Sequence, residues 1–167
     1  MFIKTDRLII TEFDRSMIES VHLNSLYEDT RRFLPDEVFA TLDEAEAAVE
    51  RLITCYQTDK GPFVYPVILK DGKNIGYVQV VQKGNDWELG YHISRGHTGK
   101  GYGTEAVTAY LPVIMKQHDI SMIYGICHAE NMSSQRVLEK CEFILEYNGI
   151  GYYQDVETEI CRYRYNR

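Results

Sequence analysis

The sequence has no long apolar run. It contains no stretch of about 18 consecutive apolar residues, which is the length that a membrane-spanning helix needs. The opening segment, MFIKTDRLIITEFD, carries charges inside its apolar part, which is not the pattern of a signal peptide. We therefore expect a cytoplasmic protein without a membrane partner.

Basic charge is also scarce. The 167 residues include 18 Lys and Arg against 25 Asp and Glu, for a formal net charge of −7. This balance argues against a nucleic-acid partner, because such partners are held through phosphate contacts to a basic surface. It is compatible with a cationic substrate, since an acidic surface attracts cations, but solubility alone is sufficient to explain it.

Cysteine pairs are missing as well. The four cysteines are widely spaced, without a CxxC pair and without histidines at zinc-ligand spacing. We therefore expect buried free thiols and no metal.

Hydrophobic patterns predict one α/β domain over residues 1–167, with a mixed, mostly antiparallel sheet flanked by helices. No repeat, low-complexity tract or linker divides the chain. A capping box, Thr41 with Glu44, starts a helix, and Asp71-Gly72 marks a hairpin. The predicted strands are 7–13, 63–69, 75–82, 87–93, 121–129, 143–147 and 160–165. The predicted helices are 17–27, one that follows Thr41, one over 106–114, and 133–140.

The segment GHTGKGYGTEA, residues 96–106, follows three antiparallel strands and opens a helix. A glycine-rich turn at a helix N-terminus binds anions through unpaired backbone N–H groups. The P-loop pattern is excluded because no Gly-Lys is followed by Ser or Thr. The dinucleotide fingerprint and the kinase loop are excluded by the glycine spacing, since Gly103 stands one position early.

The remaining match is to Gln/Arg-x-x-Gly-x-Gly/Ala, here Thr98 to Gly103, and with it the sequence resembles the GNAT superfamily of acetyl-CoA-dependent N-acetyltransferases. The flanking motifs fit in order: TDRLIITEFD near the start, ELGYHIS before the loop, Thr-Glu-Ala after it, and AENMSSxxVLEKxxF over 129–143. The first of these is similar to the branch of ribosomal-protein N-terminal (Rim-type) acetyltransferases. Two departures are Thr98 at the usual Arg/Gln position, and Cys141-Glu142 where the family has Leu-Gly.

The resemblance implies a site for acetyl-CoA as co-substrate. The pyrophosphate would be bound by backbone amides of the loop, and the pantetheine arm by backbone groups of β-strand residues before it and by Asn131. The residues implied in cofactor binding are Tyr91, His92, Ile93, Thr98, Gly99, Lys100, Gly101, Tyr102, Gly103, Thr104, Asn131 and Ser134.

The resemblance also implies catalytic residues. An α-amino group is about one-tenth neutral at pH 7 and a lysine far less, so the acceptor needs a base. Glu88 is placed to act as that base, directly or through water; the alternative is an outward-facing carboxylate without a role. Many members have a Tyr where Leu138 stands, and in the Rim-type branch a Ser at the position of Ser134 protonates the leaving thiolate. Ser134 and Asn131 could instead serve as helix-capping residues.

We therefore expect transfer of an acetyl group from acetyl-CoA to a primary amine in a ternary complex. The acceptor is either a protein N-terminus or a small cationic amine, and a homodimer is left open. A non-catalytic acyl-CoA-binding or sensing domain of the same fold is the alternative. A nucleotide-binding protein is disfavoured by the loop spacing.

Overall fold

The computed structural model describes residues 1–58 and 61–167, and its central feature is one eight-stranded sheet. The strands are β1 (Ile3–Lys4), β2 (Leu8–Ile10), β3 (Phe63–Leu69), β4 (Asn74–Lys83), β5 (Asp86–Ile93), β6 (Met122–His128), β7 (Ile144–Tyr153) and β8 (Val156–Asn166). They lie in the order β1-β2-β3-β4-β5-β6-β8-β7. Among the described residues β5 and β6 run parallel, and every other neighbouring pair is antiparallel. The predicted mixed, mostly antiparallel sheet is confirmed.

The described residues form five α-helices around the sheet. They are α1 (Ile18–Ser25), α2 (Glu28–Phe33), α3 (Leu42–Cys55), α4 (Tyr102–Gln117) and α5 (Met132–Lys140). Helix α3 begins with the predicted capping box. No helix within the described ranges is long and apolar enough to cross a lipid bilayer.

The core is divided between the two faces of the sheet. The larger cluster places the apolar side of α4, including Val107, Tyr110 and Ile114, against the sheet. A smaller cluster on the other face joins Val49 of α3 to Val64 of β3. Helices α1 and α3 therefore cover one face, and α4 with α5 covers the other.

The N-terminal region differs from the prediction. The expected strand over 7–13 is limited to Leu8–Ile10, and its last residue pairs with Ile3 of the short strand β1. Asp14 then accepts a hydrogen bond from the N–H of Ser16 and starts a 3₁₀ turn. The expected helix over 17–27 ends at Ser25. Helix α2 and a second 3₁₀ turn, Pro35–Glu37, follow it and were not predicted.

The closing hairpin is longer than predicted. Strands β7 and β8 pair over nearly their whole length around a turn at Gln154 and Asp155. Both turn residues have positive φ, 49° and 61°, a conformation that usually selects Gly or Asn. Because this turn lacks glycine, sequence patterns did not indicate a hairpin there.

Candidate active site

The site begins where β5 and β6 separate. Their register pairs Glu88 with Tyr124 and Leu89 with Gly125, and no further pair joins these two strands in the described part of the chain. Strand β5 nevertheless continues to Ile93, and its other edge stays paired with β4. The separation leaves one backbone edge of residues 90–93 facing an opening.

Alternation along β5 decides which groups face that opening. The N–H of Ser94 donates to Ile75 of β4 over 2.7 Å, so the backbone groups of His92 also point toward β4. The backbone N–H and C=O groups of Tyr91 and Ile93 therefore face the opening. The expectation that the backbone of all three residues faces the opening is therefore wrong for His92, whose backbone pairs with β4.

The glycine-rich loop follows β5 at this opening. Gly99 and Gly101 have φ of 73° and 81°, and Gly101 precedes the first turn of α4. A Cβ at Gly99 would meet no atom within 4 Å, and one at Gly101 would meet the Arg7 guanidinium at 3.5 Å. The loop thus presents glycine backbone at a helix N-terminus, which fits a pyrophosphate group.

The loop is attached to the N-terminal segment through Glu105. The Glu105 carboxylate accepts hydrogen bonds from the Thr5 hydroxyl at 2.6 Å and from Arg7 Nε at 2.6 Å. Arg7 also donates to the carbonyl of Lys100 at 2.9 Å and lies over the Tyr102 ring at 4.4 Å. Partial burial tends to raise the pKa of Glu105, but the hydrogen bonds from Thr5 and Arg7 hold it below its usual value. Arg7 is a supporting residue that loop spacing alone did not indicate.

Two loop side chains bond to the loop itself. The Thr98 hydroxyl donates to the carbonyl of Arg95 at 2.9 Å, and Lys100 Nζ donates to the carbonyl of Gly96 at 2.9 Å. Thr98 at the usual Arg/Gln position therefore closes a turn. Lys100 is not one of the described residues that line the cleft.

Helix α5 brings Asn131 and Ser134 to the opposite side of the opening. Asn131 is the N-cap, since its Oδ1 accepts a hydrogen bond from the N–H of Ser134 at 3.0 Å. The Ser134 hydroxyl lies 2.7 Å from the Tyr91 hydroxyl, which also lies 2.8 Å from the Ser134 carbonyl oxygen. The Tyr91 hydroxyl has one proton, which it can donate to one acceptor at a time. If Tyr91 donates to the Ser134 carbonyl, the Ser134 hydroxyl can donate to the Tyr91 oxygen; if Tyr91 donates to Ser134 Oγ, the serine proton is free. Burial raises the pKa of Tyr91 well above its usual value.

Glu88 lies on the sheet face that carries α1 and α3. Trp87, Leu89 and Tyr91 pack on the main core, so Glu88 and His92 point to the opposite face. Burial raises the pKa of Glu88, and the charge of Lys83 partly opposes this. The pKa of Tyr153 is also raised, by burial and then by the negative charges of Glu37 and Glu88. Both carboxyl groups therefore border the space that Tyr153 occupies.

A second carboxyl group, Glu37, was not predicted from the sequence. The Tyr77 hydroxyl donates to one carboxylate oxygen, and Gln79 Nε2 lies 3.5 Å from the other. Burial raises the pKa of Glu37 to about 7; the hydrogen bond from Gln79 opposes the rise and the charge of Asp36 adds to it. Glu37 is thus partly ionised at neutral pH.

The His92 side chain lies on the same face. Its Nε2 is 3.1 Å from the Thr30 hydroxyl, and its ring lies 5.9 Å from that of Tyr77. Burial lowers the pKa of His92 to about 4, with the charge of Asp29 opposing. His92 is therefore neutral at physiological pH and ties α2 to the sheet.

The glycine-rich loop, Ser134 and the partly buried side chains of Glu37, Glu88 and His92 border one cleft of about 750 Å³. It extends from the glycine-rich loop, between β5 and α5, to the 3₁₀ turn that contains Glu37. The sequence-predicted residues that line it are Glu88, Tyr91, His92, Ile93, Thr98, Gly99, Gly101, Tyr102, Gly103, Thr104, Asn131 and Ser134.

Comparisons with known proteins agree with this geometry. A model of the acetyltransferase (GNAT) domain matches residues 7–144. YnaD of Bacillus subtilis (strain 168), described as an uncharacterized N-acetyltransferase, is 30% identical over 145 residues, or 84% of this chain and 81% of YnaD.

Solved structures give the same picture of the fold. A GNAT-family acetyltransferase from Bacillus anthracis superposes with a TM-score of 0.84 at 25% identity, over 99% of this chain and 98% of that one. RimL, a ribosomal L7/L12 alpha-N-protein acetyltransferase solved with coenzyme A, gives a TM-score of 0.84 at 18% identity, over 99% and 98%. At that identity the likeness shows the fold alone. Because the domain model matches most of the chain, the predicted resemblance is confirmed, and the chain belongs to the GNAT family of acetyltransferases, which use acetyl-CoA.

Proposed function

We propose that this chain transfers the acetyl group of acetyl-CoA to a primary amine, by direct attack while both substrates share the cleft. The separation of β5 from β6 beyond Leu89 supports this proposal most strongly, because it opens the sheet beside Glu88 on one side and Ser134 on the other. Two substrates aligned in one cleft react as if at high effective concentration. The acceptor is a protein N-terminus or a small cationic amine, and the reaction takes place in the cytoplasm. The whole chain, residues 1–167, acts as one domain.

The cofactor would be held by backbone groups. Amides of residues 98–104 would bind the pyrophosphate at the N-terminus of α4, and the outward-facing groups of Tyr91 and Ile93 would bind the pantetheine arm. Acetyl-CoA supplies an acetyl group activated as a thioester. An N–H of β5 close to the thioester carbonyl would stabilise negative charge on its oxygen.

The acceptor ammonium must lose two protons to become an amide. Glu88 takes the first, directly or through a water molecule, and its raised pKa suits a base that works near neutral pH. The second proton returns to the leaving sulfur by way of the Ser134 hydroxyl. For this step the Tyr91 hydroxyl donates to Ser134 Oγ across their 2.7 Å contact, which leaves the serine proton free to point to the sulfur. One proton is released to solvent in each turnover.

The test combines coenzyme A binding with thiol release against a panel of amines and peptides. The panel includes an alanine-led pentapeptide amide, its N-acetylated form, and 1,4-diaminobutane. We expect micromolar coenzyme A binding and thiol release with at least one free amine, and none with the blocked peptide. Tight binding without turnover for any amine would instead support an acyl-CoA-sensing domain.

A further inference from the structure

We propose that Glu37, Tyr77 and Gln79 form the subsite that binds the ammonium group of the acceptor; this role rests on the proposed acetyl transfer but is separate from proton removal at Glu88. None of these three residues belongs to the loop or to the motif on α5. They are joined by hydrogen bonds between the 3₁₀ turn at Pro35–Glu37 and strand β4.

The sheet register places this group beside the reacting centre. Tyr77 lies opposite His92, Gln79 opposite Gly90, and Val81 opposite Glu88. Residues directly opposite in a sheet share a face, so Tyr77, Gln79 and Glu88 form one strip. Glu37 lies over this strip, one strand away from the backbone edge at which β5 opens.

Gly90 leaves the space that the subsite needs. A Cβ at this position would lie 2.5 Å from Gln79 Nε2 and 2.8 Å from Gln79 Cγ. Any larger residue would displace the Gln79 side chain and with it the hydrogen bond to Glu37. Glycine on β5 thus lets the Gln79 amide reach Glu37.

Glu37 borders two cavities and is only partly exposed. It lines the cleft of about 750 Å³ and a smaller adjoining cavity of about 160 Å³. A fully ionised carboxylate in this position would attract a cation strongly, because little water competes for it. The two donors leave lone pairs on both oxygens for an ammonium group.

Several ionisable groups surround Glu37. Asp36 adjoins it in the 3₁₀ turn, Tyr77 contacts it from β4, and Tyr153 of β7 is affected by its charge. Arg51 of α3 and the neutral His92 line the same two cavities. With a pKa of about 7, Glu37 is partly protonated at neutral pH. An arriving ammonium favours the carboxylate, so its binding releases protons at that pH.

Glu37 and Glu88 therefore make different predictions for kinetics. Loss of an ion pair that holds the acceptor raises the KM for the amine, whereas loss of a base lowers kcat. We expect Glu37→Gln to raise the amine KM at least about tenfold and Glu88→Gln to act mainly on kcat. The KM for acetyl-CoA should stay unchanged in Glu37→Gln.

The experiment is calorimetric titration of the coenzyme A-saturated protein with the alanine-led pentapeptide amide and with 1,4-diaminobutane, at pH 7 in two buffers of different ionisation enthalpy. We expect the wild type to release protons when it binds either amine. Glu37→Gln should bind at least about tenfold more weakly and release fewer protons per amine bound than the wild type. Glu37→Asp should recover part of the binding, and Glu46→Gln, an exposed glutamate of α3, serves as the matched control. Unchanged coenzyme A affinity shows that each variant is folded.

The proposal is overturned if Glu37→Gln binds both amines as tightly as the wild type, or if that variant releases as many protons per amine bound as the wild type. It is also overturned if the wild type binds neither amine. Amine binding that depends on Glu37, together with the absence of thiol release, would contradict the acetyl transfer and leave the ammonium subsite standing. The two proposals therefore fail in distinguishable ways.

Discussion

The two halves of the cleft are built in different ways. In the proposed cofactor half, the pyrophosphate would be bound by a continuous segment, residues 98–104, that offers backbone N–H groups at the start of α4. The proposed acceptor half consists of side chains from four separate elements: Glu37 from a 3₁₀ turn, Gln79 from β4, Glu88 from β5 and Tyr153 from β7. The first half should therefore tolerate side-chain changes and be sensitive to backbone geometry. The second half should be sensitive to side-chain changes and should tolerate small changes in backbone geometry.

The strongest test of this contrast changes the backbone of the loop. Gly101 has φ of 81°, a conformation that a β-branched residue adopts only with strain. Gly101→Val should redirect the amides at the start of α4 and lower the coenzyme A affinity about a hundredfold. The measurement is calorimetric titration with coenzyme A.

The matched control is Gly96→Ala, where a Cβ would meet no atom within 4 Å. This variant should bind coenzyme A like the wild type. If Gly101→Val also bound normally, the cofactor half would not depend on its backbone conformation.

The acceptor half is tested through Glu88. Glu88→Gln keeps the side-chain shape but removes the base, so kcat should fall about a hundredfold while coenzyme A affinity stays the same. Because the pKa of Glu88 is raised, the variant should also lose an ascending limb of the pH–rate profile. An unaltered profile would remove Glu88 from the mechanism.

The pair formed by Tyr91 and Ser134 connects the two halves. Ser134→Ala removes the proposed proton donor and should lower kcat about tenfold or more, and Tyr91→Phe should have a smaller effect. If the tyrosine acts only by orienting the serine, the double variant should be no slower than Ser134→Ala alone. Exposed Ser121→Ala is the control. Additive effects in steady-state kinetics would contradict this dependence.

The contrast also explains what the sequence could predict. The loop, the helix that it opens and the Asn131 cap are local, so a spacing of a few residues identifies them. Glu37 lies in a 3₁₀ turn after Pro35 that has no hydrophobic period, and its partners Tyr77 and Gln79 are about forty residues away along the chain. The contact between Tyr91 and Ser134 spans 43 positions. Such contacts depend on sheet register and helix placement, which a pattern in one sequence does not specify.

Stability as a function of pH sharpens the description of the acceptor half. The pKa of Glu37 is raised from 4.5 to about 7. Its protonated form therefore stabilises the fold fully below pH 4.5, and this contribution to the free energy of unfolding is lost as the pH rises through 7. The pKa of His92 is lowered from 6.5 to about 4, so its contribution is present above pH 6.5 and is lost as the pH falls through 4. Between pH 4.5 and 6.5 the two effects oppose each other.

Single variants of Glu37 and His92 should therefore change the pH dependence of the free energy of unfolding in opposite directions. Relative to the wild type, the free energy of unfolding of Glu37→Gln should rise with pH in this window, and that of His92→Gln should fall, each by about 1 kcal/mol per pH unit. Urea unfolding at pH 4.5, 5.5 and 6.5 measures the slopes, and the comparison with the wild type cancels the other titrating groups. Parallel curves for all three proteins would show that neither residue has the shifted pKa.

The smallest expected effect concerns stability alone, at the end of α5. Glu142 has φ of 66°, so it adopts the left-handed conformation that glycine takes at this point in the family pattern. This chain forms a left-handed turn here without glycine, and the Phe143 N–H donates to the Leu138 carbonyl at 3.0 Å. Glu142→Gly should relieve backbone strain of about 1–2 kcal/mol. Glycine loses more conformational entropy on folding, which offsets part of this, so the free energy of unfolding should rise by about 0.5–1 kcal/mol.

Because Glu142 is exposed and lies outside the cleft, this variant should leave both KM values unchanged. It thus provides a reference in which stability changes and neither half of the cleft does. Urea unfolding and steady-state kinetics on the same preparation give the two measurements. A shift in the amine KM would mean that the end of α5 transmits strain to Ser134, and that the two halves are less independent than their construction indicates.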